Sequence, residues 1–138
     1  MQFESQRTEQ QAQQRYSAAV DAAYQAPVLC SKPVIAKIRG VCMGGGLGLA
    51  AACDIRICAD GSRFRMPAGR LGLGYGIPGV RRFLSILGAQ NTMDIFFSAR
   101  IFSADEALRM GFVREVAPAT HSMRSCRPIA TSWPGTRR

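Results

Sequence analysis

Glycine is concentrated in one short segment of this sequence. Gly44, Gly45, Gly46 and Gly48 fall within five positions, between an apolar stretch that predicts a strand and an alanine-rich stretch that predicts a helix. Glycine costs backbone entropy in regular structure, so the cluster indicates that something must approach the main chain closely. The first N–H groups of a helix lack intrahelical partners and lie at the positive end of its dipole. We therefore expect this segment to bind an anion, or a carbonyl oxygen that becomes one.

Hydrophobic periodicity predicts the elements that position this turn. A helix is predicted over 3–26, ended by Pro27, with a polar and exposed first part. Strands are predicted over 34–38, 41–43, 54–59 and 63–66, and a helix from the glycine turn to about Cys53. Glycine and proline predict that 67–79 is a loop, or a short strand inside irregular structure.

The sequence after this loop predicts short helices and one last strand. Helices are expected over 80–87 and 93–98, the second capped by Asn91 or Thr92. Ser103 and Glu106 have the spacing of a capping box, which predicts a helix to Met110. The last strand is expected over 112–116, and it completes an α/β arrangement.

Composition narrows the class of protein. The 138 residues are 47% hydrophobic, enough for one modest domain with a core. No apolar run has the length of a membrane span, and the polar N-terminus lacks a signal-peptide core, so we expect no membrane insertion and no export. The five cysteines form no CxxC pair, which favours buried free thiols in a cytoplasmic protein over disulfides or a metal site.

The net charge of +9 comes from arginine-rich stretches. Six arginines lie in one stretch whose only acid is Asp94: Arg63, Arg65, Arg70, Arg81, Arg82 and Arg100. Basic surfaces attract polyanions, including nucleic acid and phosphate-bearing cofactors. Aromatic residues do not interleave with these arginines as a single-strand platform needs, so we do not expect nucleic-acid binding.

Several ordered blocks resemble the enoyl-CoA hydratase/isomerase (crotonase) family over residues 28–118. The stretch from Lys32 through the glycine turn to Asp54 is similar to the family signature. Further matches are the Phe64-x-Met-Pro67 block, the Pro78-Gly79 loop and the Ser103-to-Val113 block. The resemblance implies an incomplete crotonase-like α/β spiral of ββα units that assembles as a homo-oligomer, a trimer in the family.

The resemblance also implies a function. Family members bind acyl-CoA and polarise its thioester carbonyl with two backbone N–H groups, one of which Gly45 would supply here. An enolate would be stabilised in this oxyanion hole. Substrate contacts are expected at Gly44, Gly48, Pro67, Ala68 and Leu71. Coenzyme A enters as part of the substrate, and no other cofactor and no metal is expected.

Two departures from the family pattern weigh against turnover. Hydratases of the family use two glutamates, at positions held here by Gly48 and Ala68, and neither residue can move a proton. Tyr75 is the nearest titratable candidate and Asp94 the only acid of the next stretch, and both are expected to be structural. An alternative function is therefore a catalytically silent acyl-CoA-binding or interaction fragment.

The ends of the chain depart from the pattern as well. The resemblance implies an N-terminal half with the loop that donates the second N–H, and C-terminal helices that cover the acyl-CoA site, so the chain is expected to be truncated at both ends. A partial crotonase-like core is predicted over 1–118. The Ser-, Pro- and Arg-rich segment 119–138 is interpreted as a disordered tail or a non-native reading frame. His121 falls in it and is expected to be incidental.

The glycine segment also resembles the pattern of another fold. Gly46 to Ala51 matches the GxGxxA pattern of dinucleotide-binding folds. No acid lies about twenty residues further on to hold a ribose, and the predicted helix is too short for a crossover. No Gly-x-Ser-x-Gly nucleophile elbow occurs in the sequence.

Overall fold

The structure is a computed structural model that describes the backbone of residues 2–119 and the side chains of residues 10–119. The helices of this range are α1 (Gln2–Leu29), α2 (Gly45–Ala52), α3 (Ile77–Ser98), α4 (Ala104–Arg109) and a 3-10 helix (Ala68–Leu71). The strands are β1 (Ile35–Ile38), β2 (Val41–Met43), β3 (Ile55–Ala59), β4 (Arg63–Arg65), β5 (Ile101–Ser103) and β6 (Glu115–Ala117). The segment 120–138, which holds His121 and Cys126, lies outside the described residues.

The described strands form two small sheets. One sheet has the order β1-β3-β6 with both pairs parallel, and the other has the order β2-β4-β5. In the second sheet β2 and β4 are parallel whereas β4 and β5 are antiparallel. Only Arg39 and Gly40 separate β1 from β2. Helix α2 follows a strand of one sheet and precedes a strand of the other, so its ends are attached to both.

The core is built around four buried phenylalanine rings. Phe64 stacks on Phe102 with ring centroids 5.3 Å apart, and Phe83 stacks on Phe112 at 6.2 Å. Phe64 also meets Phe112 edge to face at 5.7 Å, which joins the two stacks. Leu47 of α2 is fully buried in the same cluster. Burying a large apolar side chain contributes about 1.5–3 kcal/mol. A helix as short as α2 is only marginally stable by itself, so its packing against the core stabilises it.

Arg56 fastens the end of α2 to the core. Its Nε donates to the carbonyl oxygen of Phe112 at 2.6 Å, and its Nη1 donates to the carbonyl oxygen of Cys53 at 2.6 Å. The guanidinium also lies 5.6 Å from the centroid of the Phe112 ring. Burial lowers the pKa of Arg56 from its ordinary value, while the nearby Cys53 and Asp54 oppose that change. One side chain thus satisfies two carbonyl groups that would otherwise be hydrogen-bonded by water.

Two predicted helix boundaries are wrong. Pro27 does not end α1, which continues to Leu29, because a proline in the last turn removes only one backbone hydrogen bond. The second wrong boundary is the start of the helix predicted over 93–98. The predicted end of the preceding helix at residue 87 is confirmed, because Gly88 has non-helical angles (φ 73°, ψ 171°) and separates two helical parts of α3. The second part resumes directly after Gly88, so neither Asn91 nor Thr92 is its cap. Asn91 instead donates to the carbonyl oxygen of Leu87, and Thr92 is buried.

The capping box is confirmed. The backbone N–H of Glu106 donates to Ser103 Oγ at 3.2 Å, and that of Ser103 donates to Glu106 Oε2 at 3.0 Å. The strand predicted over 112–116 begins only at Glu115. The backbone N–H groups of Phe112 and Val113 both donate to the carbonyl oxygen of Ala107, which closes α4 before the strand begins. None of the helices within residues 2–119 combines the length and the apolar character needed to cross a membrane.

Candidate active site

The glycine turn carries the chain from β2 into α2 through a conformation that few residues adopt. Gly44 has φ 51° and ψ −116°, and its backbone N–H donates to the carbonyl oxygen of Arg65 at 3.0 Å. The carbonyl oxygen of Gly44 accepts from the Gly48 N–H at 3.0 Å, the first hydrogen bond of the helix. Both backbone groups of Gly44 are therefore used to shape the turn.

Gly45 is the first residue of α2, and it is exposed. Its N–H precedes the first intrahelical hydrogen bond, and no side chain caps the helix. No backbone group of residues 2–119 and no side chain of residues 10–119 accepts a hydrogen bond from this N–H. The structure thus leaves a main-chain donor exposed to solvent at the positive end of the α2 dipole, as an oxyanion site requires.

Gly48, one turn further along α2, is buried beneath two tyrosine hydroxyl groups. A β-carbon built on Gly48 would lie 2.9 Å from the hydroxyl oxygen of Tyr24 and even closer to that of Tyr75. Tyr24 belongs to α1, and Tyr75 lies in the loop between the 3-10 helix and α3. At the position where the family pattern places a glutamate, these hydroxyl groups fill the space.

Tyr75 is held firmly in this position. Its ring meets Phe96 edge to face at 5.2 Å and Phe83 at 6.2 Å. Burial, followed by the charge and the hydrogen bond of Tyr24, raises the pKa of Tyr75 well above the ordinary tyrosine value. Arg82 acts in the opposite direction but more weakly. Tyr75 therefore remains protonated near neutral pH and is not a base there.

The segment from Pro67 to Leu71 lies beside the glycine turn. A β-carbon on Gly44 would be 3.8 Å from the Pro67 ring, so these two residues are neighbours. The carbonyl oxygen of Pro67 accepts from the N–H groups of Arg70 and Leu71, which starts the 3-10 helix. Ala68 is buried, whereas the Leu71 side chain is 63% exposed. Four of the predicted contact residues thus surround or follow the turn, but Leu71 points an apolar side chain into solvent.

Asp94 does not belong to this site. Its Oδ2 binds Arg100 at 2.7 Å, and Arg100 also binds Glu106 Oε1 at 2.8 Å. Arg65 of the basic stretch is likewise engaged, since its Nε donates to the carbonyl oxygen of Ala99 at 2.7 Å. Two of the six arginines of that stretch therefore stabilise the fold.

The thiols in the described range are free but not all buried. Cys42 and Cys58 are buried, and burial raises the pKa of each to about 11. Cys53 is half-buried and Cys30 is exposed, so the expectation of buried cysteines fails at Cys30. Among residues 10–119, whose side chains the structure describes, no cluster of three His, Cys, Asp or Glu side chains is suited to a metal ion.

Tyr24 is the residue that sequence reasoning missed. Its spacing marks only the apolar face of α1, together with Val20 and Ala23. Nothing local indicates that α1 packs on α2 so that the Tyr24 hydroxyl group lies near both Gly45 and Gly48. A β-carbon on Gly45 would lie 3.4 Å from that hydroxyl oxygen.

Comparisons with known proteins identify the family. The sequence model of the family described as enoyl-CoA hydratase/isomerase matches residues 2–136. A short-chain-enoyl-CoA hydratase from Clostridium acetobutylicum is 38% identical over 102 residues, 74% of this chain and 39% of that protein. The mitochondrial Delta(3,5)-Delta(2,4)-dienoyl-CoA isomerase from Homo sapiens is 41% identical over 90 residues, 64% of this chain and 27% of that protein.

Solved structures show the same fold. An enoyl-CoA hydratase/isomerase family protein from Hyphomonas neptunium superposes with a TM-score of 0.75 at 36% identity, covering 89% of this chain and 45% of that one. An enoyl-CoA hydratase/isomerase from Mycobacterium abscessus gives 0.76 at 31% identity, covering 81% and 43%. The chain spans less than half the length of these relatives. The predicted crotonase-like α/β fold is confirmed as an incomplete one, and the chain belongs to the enoyl-CoA hydratase/isomerase family.

Proposed function

We propose that this chain binds acyl-CoA thioesters and stabilises negative charge on the thioester oxygen through the backbone N–H of Gly45. The observation that supports this most directly is that Gly45 is exposed at the start of α2 and that its N–H has no acceptor in the backbone of residues 2–119 or in the side chains of residues 10–119. The turn that presents the donor is fixed by the Gly44–Arg65 hydrogen bond.

The chemistry follows from the position of the donor. When the α- or β-carbon of a thioester reacts, its carbonyl oxygen gains charge as an enolate forms. A fixed N–H group interacts more strongly with that charge than with the neutral carbonyl, and one such donor can lower a barrier by about 2.7–4 kcal/mol. Glycine at position 45 leaves the thioester room to approach the amide.

Coenzyme A would be bound as part of the substrate, without a separate cofactor. Several arginines of the basic stretch have exposed side chains that suit its phosphate groups: Arg63, Arg70 and Arg81. The relatives are named for enoyl-CoA and dienoyl-CoA substrates, which supports an acyl-CoA thioester as the ligand class.

Assembly into a homo-oligomer, a trimer by family resemblance, belongs to the same proposal. Apolar side chains at the end of α3 and in β5 are exposed, among them Phe97, whose side chain is 81% exposed, together with Met93 and Ile101. Burying such groups against another copy would remove apolar surface from water. A cytoplasmic location stays a prediction.

Binding without turnover is the second candidate, and the residues at two positions favour it. Gly48 and Ala68 stand where the resemblance implies the proton-carrying glutamates, and both positions are buried. Neither residue can exchange a proton with substrate or water. Loss of crotonyl-CoA absorbance at ordinary enzyme rates would contradict this second candidate, whereas tight binding without absorbance change would support it.

The binding proposal is tested with two matched ligands. Butyryl-CoA carries the thioester oxygen, and S-butyl-CoA is a thioether that lacks it. Calorimetry on the full chain should show butyryl-CoA binding at least about five-fold more tightly, since one net hydrogen bond already allows that difference. Equal affinities would contradict the proposal.

A backbone variant removes the donor itself. Proline is tolerated at the first position of a helix, so Gly45→Pro should delete the N–H without breaking α2. Gly45→Ala retains the N–H and is the matched control. The preference for butyryl-CoA should fall about five-fold in Gly45→Pro and persist in Gly45→Ala. Matching circular dichroism spectra of the two variants would show that the fold is intact.

A further inference from the structure

Helix α1 and the loop before α3 meet over α2 and bring two tyrosine hydroxyl groups close together. Tyr24 comes from α1 and Tyr75 from the loop, and a β-carbon built on Gly48 would lie within 3 Å of both hydroxyl oxygens. The pair lies over Gly48, and the Tyr24 hydroxyl group also lies beside Gly45. The pair therefore adjoins the backbone donor proposed above.

Glycines on two helices make room for this pair. A β-carbon on Gly48 would collide with both hydroxyl groups, as described above. A β-carbon on Gly79, in the first turn of α3, would lie 3.0 Å from Tyr75 Cδ1 and closer still to its Cε1. Larger residues at either position would displace Tyr75, so its side chain packs directly against glycines of both α2 and α3.

The two hydroxyl groups differ in their position relative to Gly45. A β-carbon on Gly45 would lie 3.4 Å from the hydroxyl oxygen of Tyr24, and no atom of Tyr75 lies within 4 Å of that position. Each hydroxyl group carries one proton that it can donate. Tyr24 is therefore the member of the pair that is placed to donate to a ligand at the Gly45 N–H.

We propose that Tyr24, oriented by Tyr75, donates a second hydrogen bond to the thioester oxygen bound at the Gly45 N–H. This inference rests on the proposed function of Gly45. It assigns a donor to a place where the family pattern has a carboxylate. Tyr75 is a positioning residue, and Tyr24 contacts the substrate.

The proposal involves hydrogen bonding without proton transfer. Tyr75 stays protonated near neutral pH because it is buried, so the pair does not remove a proton from substrate. Two donors on one oxygen would polarise the carbonyl group more than one does, and they would fix its orientation. The site would then hold the thioester in the geometry of an enolate without supplying the base.

The test measures the carbonyl group directly. Butyryl-CoA labelled with ¹³C at its carbonyl carbon is bound to the full chain, and the infrared stretching frequency of the carbonyl is recorded. Tyr24→Phe should shift this frequency toward that of the free ligand and lower the affinity for butyryl-CoA about five-fold. Binding of S-butyl-CoA should not change, because that ligand has no oxygen to receive the bond.

Two further variants complete the design. Tyr16→Phe alters an exposed tyrosine on the same helix and should leave the frequency and both affinities unchanged. Tyr75→Phe should shift the frequency in the same direction as Tyr24→Phe but less, because Tyr24 keeps its hydroxyl group and loses only its orientation.

The outcomes separate the two proposals. If the wild-type chain binds butyryl-CoA and S-butyl-CoA equally, the Gly45 proposal fails and the Tyr24 proposal fails with it. If the wild-type chain prefers butyryl-CoA while Tyr24→Phe keeps the same preference and the same carbonyl frequency, only the Tyr24 proposal is overturned.

Discussion

The backbone N–H of Gly44 donates to the carbonyl oxygen of Arg65 across a distance of 3.0 Å. This hydrogen bond joins the turn before α2 to the end of β4, directly after their paired strands. The exposed amide of Gly45 comes next in the chain. Its position is therefore set by the sheet as well as by the helix that it begins.

Replacing Gly44 should destabilise the protein and misplace this amide. At φ 51° and ψ −116° an alanine is strained, and such strain costs about 1–3 kcal/mol. Urea denaturation should therefore show a lower midpoint for Gly44→Ala. The matched control is Gly46→Ala, because a β-carbon on Gly46 would meet nothing within 4 Å. Equal midpoints for the two variants would contradict the role assigned to Gly44.

Arg56 should contribute more to stability than a surface arginine. Arg56→Met keeps much of the side-chain volume but leaves the carbonyl groups of Phe112 and Cys53 without their donor. The expected loss is about 2–4 kcal/mol in the free energy of unfolding, measured by urea denaturation. Arg81→Met, at an exposed arginine, serves as the comparison and should change stability by less than about 0.5 kcal/mol. A similar loss in both variants would argue against the proposed role of Arg56.

Acid should weaken the contacts that Arg100 makes. The hydrogen bond from Arg100 lowers the pKa of Asp94. The pKa of Glu106 is lowered mainly by the hydrogen bond from the Ser103 backbone N–H, and then by the hydrogen bond from Arg100. The folded-state pKa values of Asp94 and Glu106 lie below their ordinary values of 3.8 and 4.5. The stabilisation that these two carboxylates provide is therefore fully present above the ordinary values. It is lost as the pH falls through the lower folded-state values.

Thermal unfolding between pH 7 and pH 3 tests this dependence. Arg100→Met should flatten the acid part of the stability curve, although Glu106 retains the part that comes from Ser103. High salt should reduce the difference between the two proteins, since both ion pairs are partly exposed. Parallel curves for the variant and the wild type would show that Arg100 does not cause the effect.

The described cysteines should differ in the rate at which an alkylating reagent modifies them. Cys30 is exposed and should react with iodoacetamide at pH 8 in the folded protein. Cys42 and Cys58, with pKa values of about 11, should be protected from the reagent until urea unfolds the chain. Peptide mass spectrometry identifies which cysteines carry the label. Labelling of Cys58 at the rate of Cys30 would contradict its burial.

The sequence predicts the local elements well because their signals are local. The glycine turn, the strands on either side of it and the capping box at Ser103 all follow from neighbouring residues. The break at Gly88 is predicted as well, but the start of the second part of α3 is predicted too late, because the helix resumes directly after the glycine and has no cap at Asn91 or Thr92. The exposure of Cys30 was missed because an apolar neighbourhood in sequence does not ensure burial.

The candidate site is predictable only in part, for a related reason. Gly45 can be located from the spacing of the glycines, because a helix N-terminus is a local feature. Tyr24 lies 21 positions earlier in the sequence and reaches the turn only after α1 packs against α2. Tyr75 was considered as a titratable group, but its pairing with Tyr24 depends on the same packing. Contacts between distant segments carry no signature in a single sequence.

Because α2 is attached to both sheets, heating should affect ligand binding and secondary structure at different temperatures. Any fluctuation that parts the two sheets pulls on opposite ends of this eight-residue helix. Ligand affinity would then decline while each sheet still retains its own ladder of hydrogen bonds. Loss of the proposed thioester binding on heating is thus expected to precede the melting of secondary structure, with the Gly45 amide displaced first.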